Sequence, residues 1–364
     1  MKTNYFFGDN YESLKEDFRS GKKFVLFLGA GINASSIESI DLSWKHLLDS
    51  LFEQAISYLS VEKRMSEKTR QLFKAYFDGS ISNAPAGSDE RKFEKNLQSN
   101  FDFLMRASII EDILGDNYIP YIQNFLYNNC DELIIKKSFE KCYKYGNNVE
   151  TKEFYSLYCI ARLIVLSSNI SAIVTYNYDN FLSTAVKILS ENVKYYFPDT
   201  KDGSPINSSR LLDISGVSAP DVVMEDRVIP VYHVHGYIPP HNKPFLNGSN
   251  RIVLSMSEFY ESTNDVFSWQ TATQLHLLSH YVCMFFGLSI NDINQQRMIF
   301  SAHRQNKDRK IYYLIASSSS QGNSAVFNEL DNLRCCFYRS YGLSPIYEKS
   351  YQELGNKICD LRVI

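Results

Sequence analysis

No two of the seven cysteines, at positions 130, 142, 159, 283, 335, 336 and 359, stand in a Cys-x-x-Cys arrangement. Neither a zinc ribbon nor a redox dithiol is therefore expected, and buried, reduced thiols are the simpler expectation. Long apolar runs are missing too. The longest, residues 24–28 and 281–288, fall far short of the roughly 20 residues a membrane helix needs. Residues 1–9 carry no signal-peptide core. The formal net charge is -3, and basic residues are scattered rather than clustered. That removes the electrostatic reason to expect nucleic acid. No internal repeat is visible. A soluble, cytoplasmic chain without membrane or direct nucleic-acid binding is expected.

What the chain does hold is organised around residues 22–34, Lys-Lys-Phe-Val-Leu-Phe-Leu-Gly-Ala-Gly-Ile-Asn-Ala. Five consecutive apolar residues read as a buried strand, running into Gly29-Ala30-Gly31. This is a first βα turn of the kind that holds a dinucleotide, although the third glycine of the dehydrogenase fingerprint is missing. A helix over 10–20 is expected before it. Another is expected from an N-cap at Ser43 through 52, and a third over 62–77. Residues 78–90, rich in Gly, Ser, Asn, Pro and Ala, read as a mobile loop. From 91 to 166 helix follows helix, at 101–113, 118–127, 133–143 and 154–166.

Strand patterns then return at 171–175, 228–236, 251–254, 281–286, 310–316 and 334–338. Helices are expected from Asp179, over 257–279, 292–303 and 351–361, while 199–226 reads as irregular. With 364 residues, the pattern predicts an α/β fold, a Rossmann-like doubly wound parallel sheet with an inserted helical subdomain. Residues 1–60 and 167–364 form the framework, and 61–166 the insertion.

Ligands on such sheets bind outside the carboxyl ends of the strands. Four strands end in polar or glycine-bearing turns, at Gly29, Thr175, His235 and Gly287, and these should converge on one crevice. In Thr175-Tyr176-Asn177-Tyr178-Asp179, alternate residues share a face, so Thr175, Asn177 and Asp179 can point together into it. A plainer reading makes Asp179 a helix cap and Asn177 a turn residue. His233-Val234-His235-Gly236 sets two histidines on one face of a strand end. A metal pair would lack a third ligand. A base acting on water or a sugar hydroxyl suits His235, with Gly236 allowing close approach, whereas His233 reads as structural. In Gly287-Leu288-Ser289, backbone amides and the hydroxyl could meet a phosphate or an adenosine ribose, or the turn is an ordinary βα loop.

In this order the four motifs resemble the sirtuin-like superfamily, over most of the chain. The resemblance implies that NAD+ is a substrate and is consumed. Gly29, Ala30 and Gly31 would lie against the pyrophosphate, and Asn177 would hold the nicotinamide ribose and the attacking water. Asp179 would bond the nicotinamide carboxamide, and His235 would act as general base or orient the ribose hydroxyls. Gly287 and Ser289 would contact the adenosine half. Thr175, Gly236 and Asn33 complete the implied NAD-binding set, Asn33 standing where a serine is usual. The catalytic pair would be Asn177 and His235, with no metal.

The chain lacks two features of protein-deacylating sirtuins: the four-cysteine zinc module, and a Pro-Asp-Phe-Arg segment after Gly-Ala-Gly. It looks more like the bacterial sirtuin-like proteins of antiphage defence, which hydrolyse NAD+ to nicotinamide and ADP-ribose. Idle activity of that kind is toxic, so control by homo-oligomerisation or by a separately encoded partner, such as a HerA-type ATPase, is expected. The alternatives are an NAD-dependent deacylase or ADP-ribosyltransferase, and a non-catalytic nucleotide-binding subunit.

Overall fold

Strands β1 (Phe24–Leu28), β2 (Ile170–Thr175), β3 (Arg210–Ile214), β4 (Val228–His233), β5 (Val282–Phe286), β6 (Ile311–Ala316) and β7 (Leu343–Glu348) form one parallel sheet. Their order is β3-β4-β2-β1-β5-β6-β7. The computed structural model describes residues 10–33, 42–61, 66, 103–128, 130–145, 154–198, 210–215, 228–245, 252–264, 268–290, 292–316 and 325–361. The helix expected over 62–77 and the loop expected over 78–90 lie outside the described residues.

The helices are α1 (Asn10–Arg19), α2 (Trp44–Val61), α3 (Phe103–Leu114), α4 (Tyr118–Asn128), α5 (Glu132–Tyr145), α6 (Tyr155–Leu166), α7 (Phe181–Glu191), α8 (Val193–Tyr196), α9 (Met256–Asn264), α10 (Trp269–His280), α11 (Ile293–Gln305), α12 (Ala325–Ser340) and α13 (Tyr351–Cys359). None among the described residues is long and apolar enough to cross a membrane.

The apolar run of β1 is explained by burial on both faces. Phe24, Leu26 and Leu28 join a core shared with α1 to α7 and α13. Val25 and Phe27 join a second core with α10, α11 and Tyr338 of α12. Phe27 stacks on Phe285 of β5, ring centroids 4.5 Å apart. The chain starts mid-sheet, builds outward through β2 towards β4 and β3, then crosses β1 to lay down β5, β6 and β7. The direction of winding therefore reverses between β1 and β5, which is where an open α/β sheet leaves its crevice.

Helix starts follow local chemistry. Ser43 accepts from His46 N–H (3.3 Å), Ser268 from Thr271 N–H (3.3 Å), Asp292 from Asn294 N–H (2.8 Å) and Ser350 from Glu353 N–H (3.2 Å).

Three expectations need correction, and one strand was not expected. Residues 334–338 are not a strand but part of α12, where buried Asp331, Cys335 and Tyr338 fall at helical spacing. Residues 252–254 are buried but join no ladder. The Val253 N–H goes to His235 O (2.7 Å) and the Leu254 N–H to the Glu258 carboxylate (3.2 Å). Strand β3 lies inside the stretch expected to be irregular. Strand β7 had no expectation at all, because Pro345 interrupts its pattern. Proline is tolerated there because β7 is an edge strand.

Candidate active site at the carboxyl ends of β1, β2, β4 and β5

Leu28 of β1 pairs with Thr175 of β2 and Phe286 of β5, and Thr175 pairs with His233 of β4. Four strands thus end in one row, and backbone bonds lace their turns together. Tyr176 N–H donates to Leu28 O (3.0 Å) and Val234 N–H to Thr175 O (3.1 Å). On the other side, Gly29 N–H donates to Phe286 O and Gly31 N–H to Gly287 O, both at 3.0 Å.

The glycines make this lacing possible. A Cβ on Gly29 would lie 2.4 Å from Gly287 O, and one on Gly31 would lie 2.6 Å from Gly287 Cα and 2.7 Å from the Tyr351 ring. Gly287 itself has φ +71°, which L side chains rarely adopt. The space that the absent side chains leave is therefore filled first by the neighbouring turn and by α13. The turn after β1 is a short 3-10 segment, Ala30–Asn33, with Ala30 and Gly31 half-exposed. Beyond Gly287, Ser289 is exposed, and buried Ile290 sits at φ +47°. A β-branched residue there costs of order 1–3 kcal/mol. Its carbonyl accepts Gln296 Nε2 at 3.0 Å, and nothing in the local pattern announces this strain.

A buried polar cluster bridges the turns after β1 and β2. Asn33 Nδ2 donates to Asp179 Oδ2 (2.9 Å), and Asp179 Oδ1 accepts Phe181 N–H (3.0 Å) at the start of α7. Asn177 Nδ2 donates to Gly29 O (3.3 Å), while its own N–H donates to Thr175 Oγ1 (3.1 Å). Asp179 is thus both a helix-start acceptor and a partner of the first turn, so the two readings of it are compatible. Thr175 spends its hydroxyl on the local turn. Asn33 Oδ1 is buried without a hydrogen-bond partner among the described residues. Burial raises the Asp179 carboxyl to about 6, against the opposing pull of the Phe181 N–H, the His233 charge and the Asn33 amide.

The two histidines do not share a face. Strand β4 ends at His233, and a turn closed by Gly236 N–H to His233 O (3.1 Å), with Gly236 at φ +95°, breaks the strand alternation. The His233 ring is fully engaged: Nδ1 lies 3.2 Å from Asn177 O and Nε2 3.0 Å from Asp213 Oδ1. Both partners are acceptors, so a ring carrying two N–H groups satisfies both. Burial pushes the Asp213 carboxyl up, but the His233 bond and charge, with the Ser183 hydroxyl (2.7 Å), bring the net shift down.

The His235 ring instead meets Tyr176 edge-on at 4.9 Å and makes no hydrogen bond among the described residues. It borders a cavity of about 30 Å³ lined also by Gln274, Asp292 and Gln295, enough for a water. Desolvation lowers its imidazole to about 4, so it is neutral near pH 7.

The structure therefore joins Gly29, Asn33, Asn177, Asp179 and Gly287 in one bonded assembly. It sets His235 and Gly236 on the adjoining strand end and leaves Ser289 on the rim. Asp213, which holds His233, and Tyr351, which seats Gly31, escaped the sequence reading. Asp213 stood in a segment without periodicity, and Tyr351 reaches Gly31 from the far end of the chain.

Residues 171–346 match the family model of the SIR2-like domain. Over that segment the chain is similar to a SIR2-like domain. The matched segment runs from β2 into β7, so it includes Asn177, Asp179, His235 and Gly287 but not Gly29-Ala30-Gly31. The fold sets that last motif beside the matched strand ends by placing β1 between β2 and β5. SIR2-like domains are generally NAD-dependent enzymes, which supports an NAD-related function. No curated protein matches the chain. Among the described residues, no group of His, Cys, Asp and Glu could hold a metal ion.

Proposed function

We propose that the protein is an NAD+ glycohydrolase, cleaving the nicotinamide–ribose bond to release nicotinamide and ADP-ribose. The observation that carries this reading is the Asn33–Asp179 pair. A buried amide oxygen without a partner among the described residues adjoins a carboxyl raised to about 6. An incoming primary carboxamide offers the N–H that such an acceptor lacks, and nicotinamide has one.

In this reading Gly29, Ala30 and Gly31 face the pyrophosphate, and Gly287 and Ser289 the adenosine half. The C–N bond breaks with its electron pair leaving on the nicotinamide nitrogen, which departs neutral, and the ribose carbon passes through a cation-like state. Asn177, whose Oδ1 accepts no bond among the described residues, orients the ribose and a water. The water oxygen bonds to the ribose carbon, and neutral His235 takes its proton. Residues 1–60 and 167–364 form the catalytic domain and 61–166 an inserted helical subdomain. The setting we infer is NAD+ depletion in antiphage defence, controlled by homo-oligomerisation or by a partner such as a HerA-type ATPase.

Mass spectrometry of NAD+ products from the wild type, Asn177→Ala and His235→Ala tests the reading. Free nicotinamide and ADP-ribose from the wild type, falling about 10²- to 10⁴-fold in His235→Ala, are expected. A modified acceptor, or both variants matching an active wild type, counts against it. High turnover by the isolated chain excludes an obligate activator.

A further inference from the structure

Gly355 lets α13 pack tightly on α6. A Cβ on Gly355 would stand 3.1 Å from the Tyr155 ring and 3.3 Å from Cys159 Sγ. Tyr155 Oη donates to Asn356 Oδ1 at 2.6 Å, and Ser156 Oγ to Tyr351 O at 3.2 Å. One turn beyond Gly355, at i+4 and hence on the same face, Cys359 brings its Sγ to 3.0 Å from Cys159 Sγ. The two sulphurs are 200 residues apart in the chain and lie within about 1 Å of disulfide bonding distance.

The two thiols differ in character. Cys159 is fully buried, and its thiol is pushed well up by burial. Cys359 is partly exposed. Its thiol is lowered by the hydrogen bond with Cys159, against the opposing effect of burial, with further help from the Arg162 guanidinium. One sulphur thus inclines to thiolate on a partly exposed residue, and the other stands beside it as a buried thiol. That is the arrangement of an attacking and a resolving cysteine.

We propose that Cys359 and Cys159 form a peroxide-oxidisable pair whose disulfide ties α13 to α6. The Cys359 thiolate attacks a hydroperoxide oxygen. An S–O bond forms, the O–O bond breaks, and the departing alkoxide or hydroxide takes a proton from solvent. Cys159 then attacks the Cys359 sulphur. The S–S bond forms, the S–O bond breaks, and the hydroxide leaves as water with the Cys159 proton. In sum, two thiols and one hydroperoxide give a disulfide, an alcohol or water, and water.

The consequence reaches the strand-end turns, because α13 begins at Tyr351. That ring seats Gly31 and meets Phe286 edge-on at 5.9 Å. Fixing the far end of α13 restrains the helix on which the Gly29–Gly31 turn rests.

The test uses the full chain and hydrogen peroxide, with alkylation of the remaining thiols, peptide mapping, and hydrogen exchange across residues 351–359. The expected result is a Cys159–Cys359 linked peptide, reversed by dithiothreitol, with exchange across 351–359 slowed about tenfold. Cys359→Ser and Cys159→Ala should each give neither the link nor the slowing. The proposal is overturned if both cysteines remain alkylatable after peroxide, if Cys359 passes to sulfinic acid unpaired, or if either links to a different thiol. None of these readouts depends on NAD+ turnover.

Discussion

Asn33 Nδ2 donates to Asp179 Oδ2 at 2.9 Å, joining the turn after β1 to the turn after β2 across 146 residues. The bond orients both groups. With the amide nitrogen on the carboxylate, the Asn33 oxygen is left facing away, buried and without a partner among the described residues. Asn33→Ala removes the donor and the free acceptor together. Hydrogen bonds to charged groups are worth about 1.5–3 kcal/mol, so a fall of roughly 10- to 100-fold in kcat/KM for NAD+ is expected. Asn33→Asp should be worse, since it sets a second carboxyl against Asp179. Steady-state kinetics of the two variants checks the order.

Asp179 and His235 should tilt stability with pH in opposite directions. Asp179 titrates near 6 folded against 3.8 unfolded, so the folded state holds the extra proton between these values. Its contribution falls by about 3 kcal/mol as pH rises through that window. His235 titrates near 4 folded against 6.5 unfolded, so the unfolded state holds the extra proton and stability rises with pH over that range. In the wild type the slopes largely cancel. Asp179→Asn should leave the rising slope, and His235→Gln the falling one. The amide that Asp179→Asn introduces would be tolerated because Asn33 can turn over and offer its free oxygen. Urea denaturation between about pH 4 and 6.5 measures both slopes. Parallel slopes in the two variants would sink the burial argument for this pair.

The parts of this arrangement that could be read from the sequence are those carried by local pattern. The β1 run announces a strand buried on both faces, and Ser43 and the strand-end glycines mark their own turns. Strand order could not be read that way, since β1 lies between β2 and β5 through contacts across more than 140 residues. The alternation rule also failed two residues past a strand end. His233 and His235 have the spacing of a shared face, but the ladder stops at His233 and the Gly236 turn sends the second ring to Tyr176. Strand β3 illustrates a different limit: five residues without a period are named only by the neighbour they pair with. The same holds for Cys159 and Cys359, whose proximity follows from how α6 packs on α13.

His233 spans Asp213 and the Asn177 carbonyl, so Asp213 positions the Asn177 turn through a buried ring. Asp213→Asn removes the ionised partner and leaves His233 with one acceptor of full strength. A stability loss of about 3 kcal/mol is expected, with a rise in KM for NAD+ as the turn loosens. Ser183→Ala, which deletes one bond to the same carboxylate, should cost only about 1 kcal/mol. Because the Asp213 carboxyl is held down, its contribution is present above the usual carboxylate range and is lost as pH falls below it. Chemical denaturation of both variants gives the ratio, and equal losses would show that His233 is not the main partner.

Gly31→Ala should fail by collision rather than by backbone conformation. Its added Cβ would lie 2.6 Å from Gly287 Cα and 2.7 Å from the Tyr351 ring. A side chain can rotate away, but the Gly287 backbone is held by Gly31 N–H itself at 3.0 Å. The turns after β1 and β5 must therefore separate, which for overpacking costs about 1–3 kcal/mol. Gly115→Ala is the control: φ is +51° there and nothing lies within 4 Å, so only the left-handed backbone is penalised, by about 1 kcal/mol. Tyr351→Leu in the Gly31→Ala background should recover part of the loss, because it relieves the ring contact and leaves the backbone one. Full recovery would mean that the Tyr351 ring alone, and not the paired glycine turns, sets the space at the β1–β5 crevice. Thermal melting of the three variants, alongside NAD+ turnover, separates the two causes.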